Sequence, residues 1–426
     1  FMNADLYDRL RALDARAKAG EVELDAEASW LLEDLLAAFV RNGVALASED
    51  QETLRGINAR LAELGTAFDR ANLDARNSGA IVVKDASQLN GLSPDDLASL
   101  AQPDGTHKID LVNTSQHPLL EKLTNRDVRR RVYEASVNRA LGRPGADGTP
   151  GPDTRALIVE IARLRAQRAT LLGYANHAEL VTERACAKSA SAVADMLGRL
   201  APAALAQARR DAAEYAERFE RLYPGETFAP WDWAFVADLD LDALAPYLGA
   251  DKVLNAVYGA AERLYGITFE RRPDLRGHTA DAEVYEVKDA DGSTVGLFIM
   301  DFWARPTKQG GAWMNNIVNQ SHLLGELPVV TNNCNYARGT TTISWDGVIT
   351  MFHEFGHALH GLFADSRYPS HSGSNTPRDF VEFPSQVNEH WAWEPDAVIP
   401  AEWAAKMQAA DRFNQGFGNY EIWSAM

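Results

Sequence analysis

Cysteine is scarce in this 426-residue chain, which contains only Cys186 and Cys334. The two lie far apart in the sequence, and neither belongs to a CxxC pair. This argues against a disulfide-stapled scaffold and against a zinc site built from thiolates. We therefore expect two buried thiols in a protein of a reducing compartment.

The chain also lacks an excess of basic residues and any long apolar run. Its 42 Lys and Arg stand against 60 Asp and Glu, for a formal net charge of −18. Because such a chain repels phosphate backbones, we expect no nucleic-acid partner. No stretch reaches the ~18 apolar residues of a membrane helix, and the opening residues FMNADL lack the basic and apolar regions of a signal peptide. We expect a soluble, cytoplasmic, monomeric protein without a membrane partner.

The first half of the chain contains one amphipathic helical pattern after another. The segments 25–41, 119–140, 155–172 and 191–223 are rich in Ala, Leu, Arg and Glu, which favour helix. Apolar residues also recur at steps of three and four between charged ones, at Leu54, Ile57, Leu61, Leu64 and Phe68. We expect residues 1–235 to form a helical domain.

The pattern changes after Trp233. Two alternating segments, 284–288 and 295–299, flank the turn residues Asp291-Gly292 and predict a β-hairpin. A further short strand is expected at 328–331, and Thr331 to Asn335 either provide an edge strand for an extended peptide or form a plain structural strand. Helices are expected from about 346 to 363 and from about 376 to 393. We expect residues 236–426 to form a second domain, in which a small sheet precedes these helices.

The first of these helices contains the motif His353-Glu354-Phe355-Gly356-His357. Two histidines four apart leave an α-helix on one face, which suits zinc ligation by their imidazole nitrogens. Glu354 can then reach a water molecule at the metal. The alternative is an amphipathic helix with histidines on a semi-polar face. His360 lies near the same face, where we expect packing or a hydrogen bond to a ligand rather than ligation.

A catalytic zinc needs a third protein ligand. The extended histidine motif of the metzincins would require histidine at position 363, where this chain has Phe363. Among the downstream carboxylates, Asp379 falls in an expected first helical turn, where it complements the helix dipole. We prefer Glu382, because an ionised carboxylate in the apolar run FVEFP is costly unless it is paired or binds metal. Glu389 could support a ligand from the same face.

These segments resemble a known family. Residues 351–363 (MFHEFGHALHGLF) are similar to the zinc helix of the thimet oligopeptidase family, the M3 metallopeptidases, and residues 378–386 (RDFVEFPSQ) are similar to its second metal helix. The resemblance implies that Glu382 is the third zinc ligand. It also implies a mostly helical, neurolysin-like fold, in which a deep channel separates two halves, residues 1–235 form a channel wall and zinc lies on the channel floor.

Two further segments, 304–314 (ARPTKQGGAWM) and 372–377 (SGSNTP), are similar to the bacterial peptidyl-dipeptidase branch of the family. That resemblance implies removal of dipeptides from the carboxyl ends of short peptides, and hence a cation that binds the free carboxylate. Arg305 and Lys308 are the candidates, with a solvated or structural role as the alternative. The family's late segment has tyrosines that polarise the substrate carbonyl, and Tyr420 is the candidate here, with ordinary packing as the alternative.

Two other functions remain open at this stage. An endo-acting oligopeptidase of the same family would share the zinc and Glu354 as the base that takes a proton from the water. It would lack the cation that binds the peptide's end. A catalytically silent helical binding protein would keep zinc only as a structural element.

Overall fold

The computed structural model describes residues 1–111, 119–144, 150–237, 244–305, 308–336, 342–394 and 397–407. Contacts between Cα atoms divide the chain into two compact units. Unit 1 contains Phe1–Ala75, Ala140–Pro144 and Pro150–Ala190, and unit 2 contains the rest. The expected boundary between residues 235 and 236 lies inside unit 2, so the division into a helical and a catalytic domain stays a prediction.

Helices provide most of the regular structure in the described ranges. In chain order they are α1 (Ala4–Lys18), α2 (Ala26–Arg41), α3 (Ser48–Ser78), α4 (Pro94–Leu100), α5 (Arg126–Val137), α6 (Arg155–Leu171), α7 (His177–Thr182), α8 (Ala190–Leu222), α9 (Trp233–Ala237), α10 (Ala250–Tyr265), α11 (Trp345–Leu362) and α12 (Glu382–Glu389). None of these described helices has the length and apolarity that crossing a membrane requires.

The helical pattern predicted for α3 is confirmed by burial. Leu54, Ile57 and Leu64 are buried, while Leu61 and Phe68 are half-buried. Charged side chains between them remain exposed, so one stripe of the helix packs and the other faces water. In unit 1, α2 begins at a capping residue, because the Asp25 carboxylate accepts a hydrogen bond from the Ala28 backbone N–H at 2.7 Å.

The strands form a small sheet in unit 2 and a two-stranded ribbon. The ribbon pairs β1 (Ile81–Val83) with β2 (His107–Ile109). The sheet has the order β3-β4-β5-β7-β6, in which only β5 and β7 run parallel. Its strands are β3 (Thr268–Arg271), β4 (Glu283–Lys288), β5 (Thr294–Trp303), β6 (Trp313–Val318) and β7 (Val329–Tyr336). The predicted hairpin is therefore confirmed as β4–β5.

Of the two alternatives for Thr331 to Asn335, the structure supports the plain structural strand and contradicts the edge strand. These residues lie in β7, which pairs with β5 on one side and with β6 on the other. A strand paired on both sides has no free row of backbone groups for a peptide. Within the described sheet β6 is the strand at this end, so it carries the unpaired backbone groups instead.

Helix α11 lies against the sheet in the main apolar core. It begins at Ser344, whose hydroxyl accepts a hydrogen bond from the Gly347 N–H, and buries Val348, Phe352 and Phe355. These residues pack with apolar side chains of α10 and the sheet, such as Val253, Val257, Phe298, Met300 and Val330. The burial of this helix fixes the position of its histidines relative to β6 and β7.

Helix α12 is shorter than the expected helix over 376–393. Residues 377–381 form turns, α12 starts at Glu382, and a 3-10 turn (His390–Trp393) follows it. Pro384 explains the late start, because proline lacks a backbone N–H and its ring clashes with the carbonyl four residues earlier. It fits the first turn of a helix that begins at Glu382, but it would interrupt one that begins at Thr376.

The predicted fold class, mostly helical with a small sheet beside the helices of the motif, is confirmed. The deep channel implied by the family resemblance stays a prediction.

Candidate metal centre

The two histidines of the motif lie on one face of α11, as predicted. The ring centroids of His353 and His357 are 5.0 Å apart, and the ring planes are nearly perpendicular. His357 is buried and His353 is half-buried. One helical turn therefore presents two imidazoles to the same space.

Helix α12 reaches these histidines because Gly356 has no side chain. A Cβ at Gly356 would lie 2.7 Å from Ser385 Cα and 2.8 Å from Asn388 Cβ, which is too close for any side chain. The buried Asn388 side chain also joins the helices, since its Nδ2 donates to the Phe352 carbonyl oxygen at 2.7 Å. The glycine between Glu354 and His357 thus allows α12 to bring Glu382 to the histidines.

Glu382 meets both imidazoles through one oxygen atom. Its Oε2 lies 3.2 Å from His353 Nε2 and 3.0 Å from His357 Nε2. The three ligand atoms lie within 4.8 Å of one another. Zinc bonds of about 2.0–2.1 Å in a tetrahedron place ligand atoms about 3.3 Å apart. The three side chains therefore fit a zinc ion in both atom type and spacing.

Glu389 orients the first histidine, as expected. Its Oε1 lies 2.6 Å from His353 Nδ1. Burial lowers the pKa of His353, but the hydrogen bond to Glu389 and nearby carboxylates outweigh it, so the pKa lies above its usual value. A carboxylate at Nδ1 holds the ring proton there and leaves the Nε2 lone pair for a metal. Burial lowers the pKa of His357, which favours its neutral, ligating form.

Glu354 carries a buried carboxylate without a partner among the described residues. It is only 6% exposed, and its Oε2 has no hydrogen-bond partner there. Burial raises the pKa of Glu354 to about 7; His353 opposes this shift, and the charge of Glu382 adds to it. A buried acceptor left open next to two candidate metal ligands suits a group that takes up and releases a proton.

These side chains line one cavity of about 390 Å³. Its wall consists of Ala312, Trp313, Met314, His353, Glu354, His357, Ser374, Val381 and Glu382. His360 is not among the lining residues, and its buried Nδ1 lacks a hydrogen-bond partner in the described part of the chain. This fits its expected role in packing and gives no support to ligation.

The structure does not place Lys308 at this cavity. Its ammonium group contacts three protein oxygens, the Asp301 carboxylate at 3.0 Å, the Asp301 carbonyl at 2.9 Å and the Trp303 carbonyl at 3.2 Å. The side chain is 1% exposed. An ammonium group has three donors, so Lys308 has none left for a substrate carboxylate, and its geometry fits the structural alternative.

Arg305 belongs to the same cluster but is more accessible. Its Nη1 lies 2.9 and 2.7 Å from the two carboxylate oxygens of Asp301, while 23% of the side chain stays exposed. His278 completes the cluster through Nε2, 2.9 Å from Asp301 Oδ2. Tyr420, the remaining candidate from the sequence, lies outside the described residues.

Two residues that contact this site, Asn388 and Ser374, are not among the candidates predicted from the sequence. Asn388 connects the two helices, and Ser374 lines the cavity. Ser374 lies in the segment SGSNTP, which was used only as a family signature. Neither residue type has a spacing rule that points to such a role, so only the structure reveals them.

Comparison with known proteins identifies residues 119–404 as a match to peptidase family M3. The chain is 38% identical to the dipeptidyl carboxypeptidase of Escherichia coli (strain K12), over 100% of this chain and 66% of that protein. It is 37% identical to the dipeptidyl carboxypeptidase of Salmonella typhimurium, over 100% of this chain and 66% of that protein. Oligopeptidase A of Salmonella typhimurium is 29% identical, over 96% of this chain and 64% of that protein. The chain thus spans just under two thirds of these relatives.

Proposed function

The chain belongs to peptidase family M3, and on that premise we propose that it is a zinc metallopeptidase that releases dipeptides from the carboxyl ends of short peptides. The observation that carries the proposal is the convergence of His353, His357 and Glu382 beside the open carboxylate of Glu354. Two relatives whose names are dipeptidyl carboxypeptidase, similar over the whole of this chain, support the substrate class.

In this proposal His353, His357 and Glu382 hold the zinc ion. The bound ion supplies a Lewis acid that polarises the scissile carbonyl and acidifies water. Glu389 keeps the His353 ring in its ligating orientation, through the 2.6 Å contact at Nδ1. The Glu382 side chain is 53% exposed, so its position depends on the close packing of α12 on α11.

Glu354 moves the proton. Its carboxylate accepts a proton from the attacking water and delivers it to the amine that leaves when the peptide bond breaks. Burial brings the pKa of this group to about 7. A carboxyl group with such a pKa can both accept and release a proton near neutral pH, whereas an exposed one remains ionised.

Release of dipeptides requires a cation at a fixed distance from the cleaved bond. Asp301, Asn333 and Trp313 are paired neighbours across β5, β7 and β6. These pairings place Asp301 on the same sheet as Trp313 of the cavity wall, two strands away. Of the two cations bound to Asp301, Lys308 is buried and Arg305 keeps 23% of its side chain exposed, so Arg305 is our candidate for binding the terminal carboxylate.

Strand β6 offers support for the peptide backbone. It contributes Trp313 and Met314 to the cavity wall and is the end strand of the described sheet. An extended peptide can add to such an edge through main-chain hydrogen bonds. This replaces the expectation that Thr331 to Asn335 serve this purpose.

A cytoplasmic location is part of the proposal. Cys334 is buried as expected, whereas the expectation that Cys186 is buried is wrong, since it is exposed. The two do not form a disulfide with each other, which suits a reducing compartment. Cell fractionation tests the location. The monomeric state expected from the sequence stays a prediction.

The substitution Glu354→Gln tests the chemistry. It removes the proton acceptor but leaves all three ligands, so we expect full zinc content with hydrolysis reduced about a hundred- to ten-thousandfold, the range that loss of a general base costs. Glu262→Gln, an exposed position on α10, is the matched control and should keep wild-type activity. Loss of zinc in E354Q would show that the ligands are misassigned, and retained activity would show another base.

The mode of cleavage is tested with one peptide in two forms. A free carboxyl end should be processed by release of dipeptides, and the same peptide with an amidated end should be a poor substrate. Equal cleavage of both would favour an endo-acting oligopeptidase of the same family. No cleavage of either form by the zinc-loaded protein would favour a silent binding protein.

A further inference from the structure

The loop that contains Ser374 lies directly against α11. Gly373 adopts φ +54°, and a Cβ there would be 2.9 Å from Gly361 Cα and 3.2 Å from the His360 carbonyl oxygen. A side chain at this position would be strained by its backbone conformation and would also meet the helix. The glycine therefore allows the loop backbone to contact α11 one turn after His357.

Gly361 lets β6 approach the same place. A Cβ at Gly361 would lie 2.7 Å from Met314 Cε, 2.7 Å from Val330 Cγ1 and 2.8 Å from Asn316 Oδ1. The strand and the loop thus meet on one side of α11, with Gly361 and Gly373 in direct contact. This packing fixes Ser374 in the cavity wall beside the histidines.

Asn316 holds the Ser374 hydroxyl in one orientation. The Asn316 Nδ2 donates to Ser374 Oγ at 3.2 Å. That bond uses an acceptor position of the hydroxyl and leaves its O–H donor without a partner among the described contacts. Asn316 Oδ1 is buried and has no partner in the same set. Among the described contacts, the hydrogen bond to Ser374 is therefore the only one that the Asn316 side chain makes.

Ser374 is the sole hydroxyl among the described lining residues of this cavity. The other polar lining residues, His353, Glu354, His357 and Glu382, are assigned to the metal and to proton transfer. A bound peptide presents backbone carbonyl oxygens that need donors once water is displaced. In the described wall the neutral side-chain donors are the Ser374 hydroxyl and the indole N–H of Trp313, and Ser374 is the one whose hydroxyl is held by a polar neighbour, Asn316.

We propose that Ser374 donates a hydrogen bond to a backbone carbonyl oxygen of the peptide bound in this cavity, and that Asn316 is a positioning residue that orients the Ser374 hydroxyl. The proposal rests on the proposed function, because it takes a peptide as the ligand. The metal ligands and Glu354 do not supply this binding contact. A neutral hydrogen bond of this kind is worth about three- to tenfold in affinity.

Peptide binding to the zinc-loaded E354Q protein tests the contact without turnover. We expect Ser374→Ala in that background to weaken binding of an N-acetylated tetrapeptide with a free carboxyl end about three- to tenfold by calorimetry. Ser374→Thr, which keeps the hydroxyl, should stay within about twofold of the parent. Ser370→Ala, at an exposed position in the preceding turn, is the control. An unchanged dissociation constant in S374A would overturn the proposal.

The role of Asn316 is tested by Asn316→Asp. A carboxylate only accepts hydrogen bonds, so it would draw the Ser374 hydroxyl hydrogen away from the peptide. We expect binding to weaken as in S374A, and the double variant S374A/N316D to lose no more than S374A alone. Asn315→Asp, on the exposed side of β6, makes the same charge change one residue away. Additive losses in the double variant would contradict positioning through Ser374.

Kinetics of the active enzyme separate this contact from the chemistry. S374A in the otherwise wild-type protein should raise KM about three- to tenfold with kcat unchanged, because the contact is present before and during reaction. A fall in kcat with unchanged KM would overturn the proposal in favour of a contact made only in the transition state. Peptide binding without any wild-type hydrolysis would contradict the proposed function alone, and absence of peptide binding to E354Q would contradict both.

Discussion

At the scale of single residues, Glu382 is an accessible carboxylate that lies between two imidazoles. The apolar run FVEFP predicts a buried carboxylate, which would need a partner when it is ionised. In the structure Phe380 and Phe383 are both exposed, and 53% of the Glu382 side chain is accessible. Its partners are His353 and His357, which it meets because α12 packs on α11. A local sequence pattern does not encode this packing.

His353, Glu354 and His357 were predictable because their geometry is local. A spacing of four on a helix fixes the shared face whatever the rest of the fold does. Lys308 and Arg305 were not predictable in this way, because their partner Asp301 is defined by the end of β5 and a turn back towards it. Residue type alone does not distinguish a cation that binds substrate from one that neutralises a buried acid.

Asp301 is expected to be a major contributor to the stability of unit 2. Asp301→Asn would leave Lys308 buried beside a neutral group, at a cost of about 3–5 kcal/mol in the free energy of unfolding. Asp365→Asn, in an exposed pair with His322, is the control and should cost at most about 1 kcal/mol. Urea denaturation at neutral pH measures both, and equal effects would contradict a structural role for the cluster.

The Asp301 carboxylate should also make the free energy of unfolding depend on pH. Burial raises the pKa of Asp301, but hydrogen bonds from Arg305, His278 and Lys308 outweigh it and hold the pKa below its usual value. A depressed pKa in the folded state means that stability is present above the unfolded pKa, about 3.9, and is lost as the pH falls through the folded pKa. The stability difference between wild type and D301N should therefore shrink below about pH 4.

At the scale of elements, the predicted strands and helices are mostly confirmed, whereas the start of α12 and the inner position of β7 in the sheet differ from the prediction. The β4–β5 hairpin follows from alternation around Asp291-Gly292, whereas the inner position of β7 depends on its parallel pairing with a distant strand. Helix α12 starts at Glu382 and not near residue 376, because Pro384 fits the first turn of a helix that begins at Glu382 but would interrupt one that begins earlier.

Gly356 is expected to control how closely α12 packs on α11. Gly356→Ala would place a Cβ 2.7 Å from Ser385 Cα, so the helices must separate, at a cost of about 1–3 kcal/mol and with weaker zinc binding. Gly259→Ala on α10 meets no atom within 4 Å and should stabilise by about 0.5–1 kcal/mol, as glycine is a poor helix former. Thermal unfolding and zinc titration measure both variants; unchanged zinc affinity in G356A would contradict the role of this close approach.

At the scale of the whole molecule, the site belongs to one unit. His353, His357 and Glu382 all lie in unit 2, and α1 and α2 lie in unit 1. A ligand that binds only the folded form raises the free energy of unfolding. The increase grows with the logarithm of the ratio of free ligand to its dissociation constant and is about 4 kcal/mol at a ratio of a thousand. That stabilisation acts on the elements that carry the ligands.

Removal of zinc should accordingly have a local effect. After chelation, we expect faster amide hydrogen exchange in α12 and in the half of α11 that contains the motif, because their packing loses the bound ion. Amides of α1 and α2 serve as the internal control and should exchange at unchanged rates. If exchange became faster throughout the chain, or did not become faster anywhere, the result would contradict a metal site confined to these two helices.

The most direct test of the account is an anomalous difference map recorded from crystals of the zinc-loaded protein on both sides of the zinc absorption edge. We predict one strong peak about 2.0–2.2 Å from His353 Nε2, His357 Nε2 and a carboxylate oxygen of Glu382. A peak coordinated by other residues, or none at these three side chains, would contradict it.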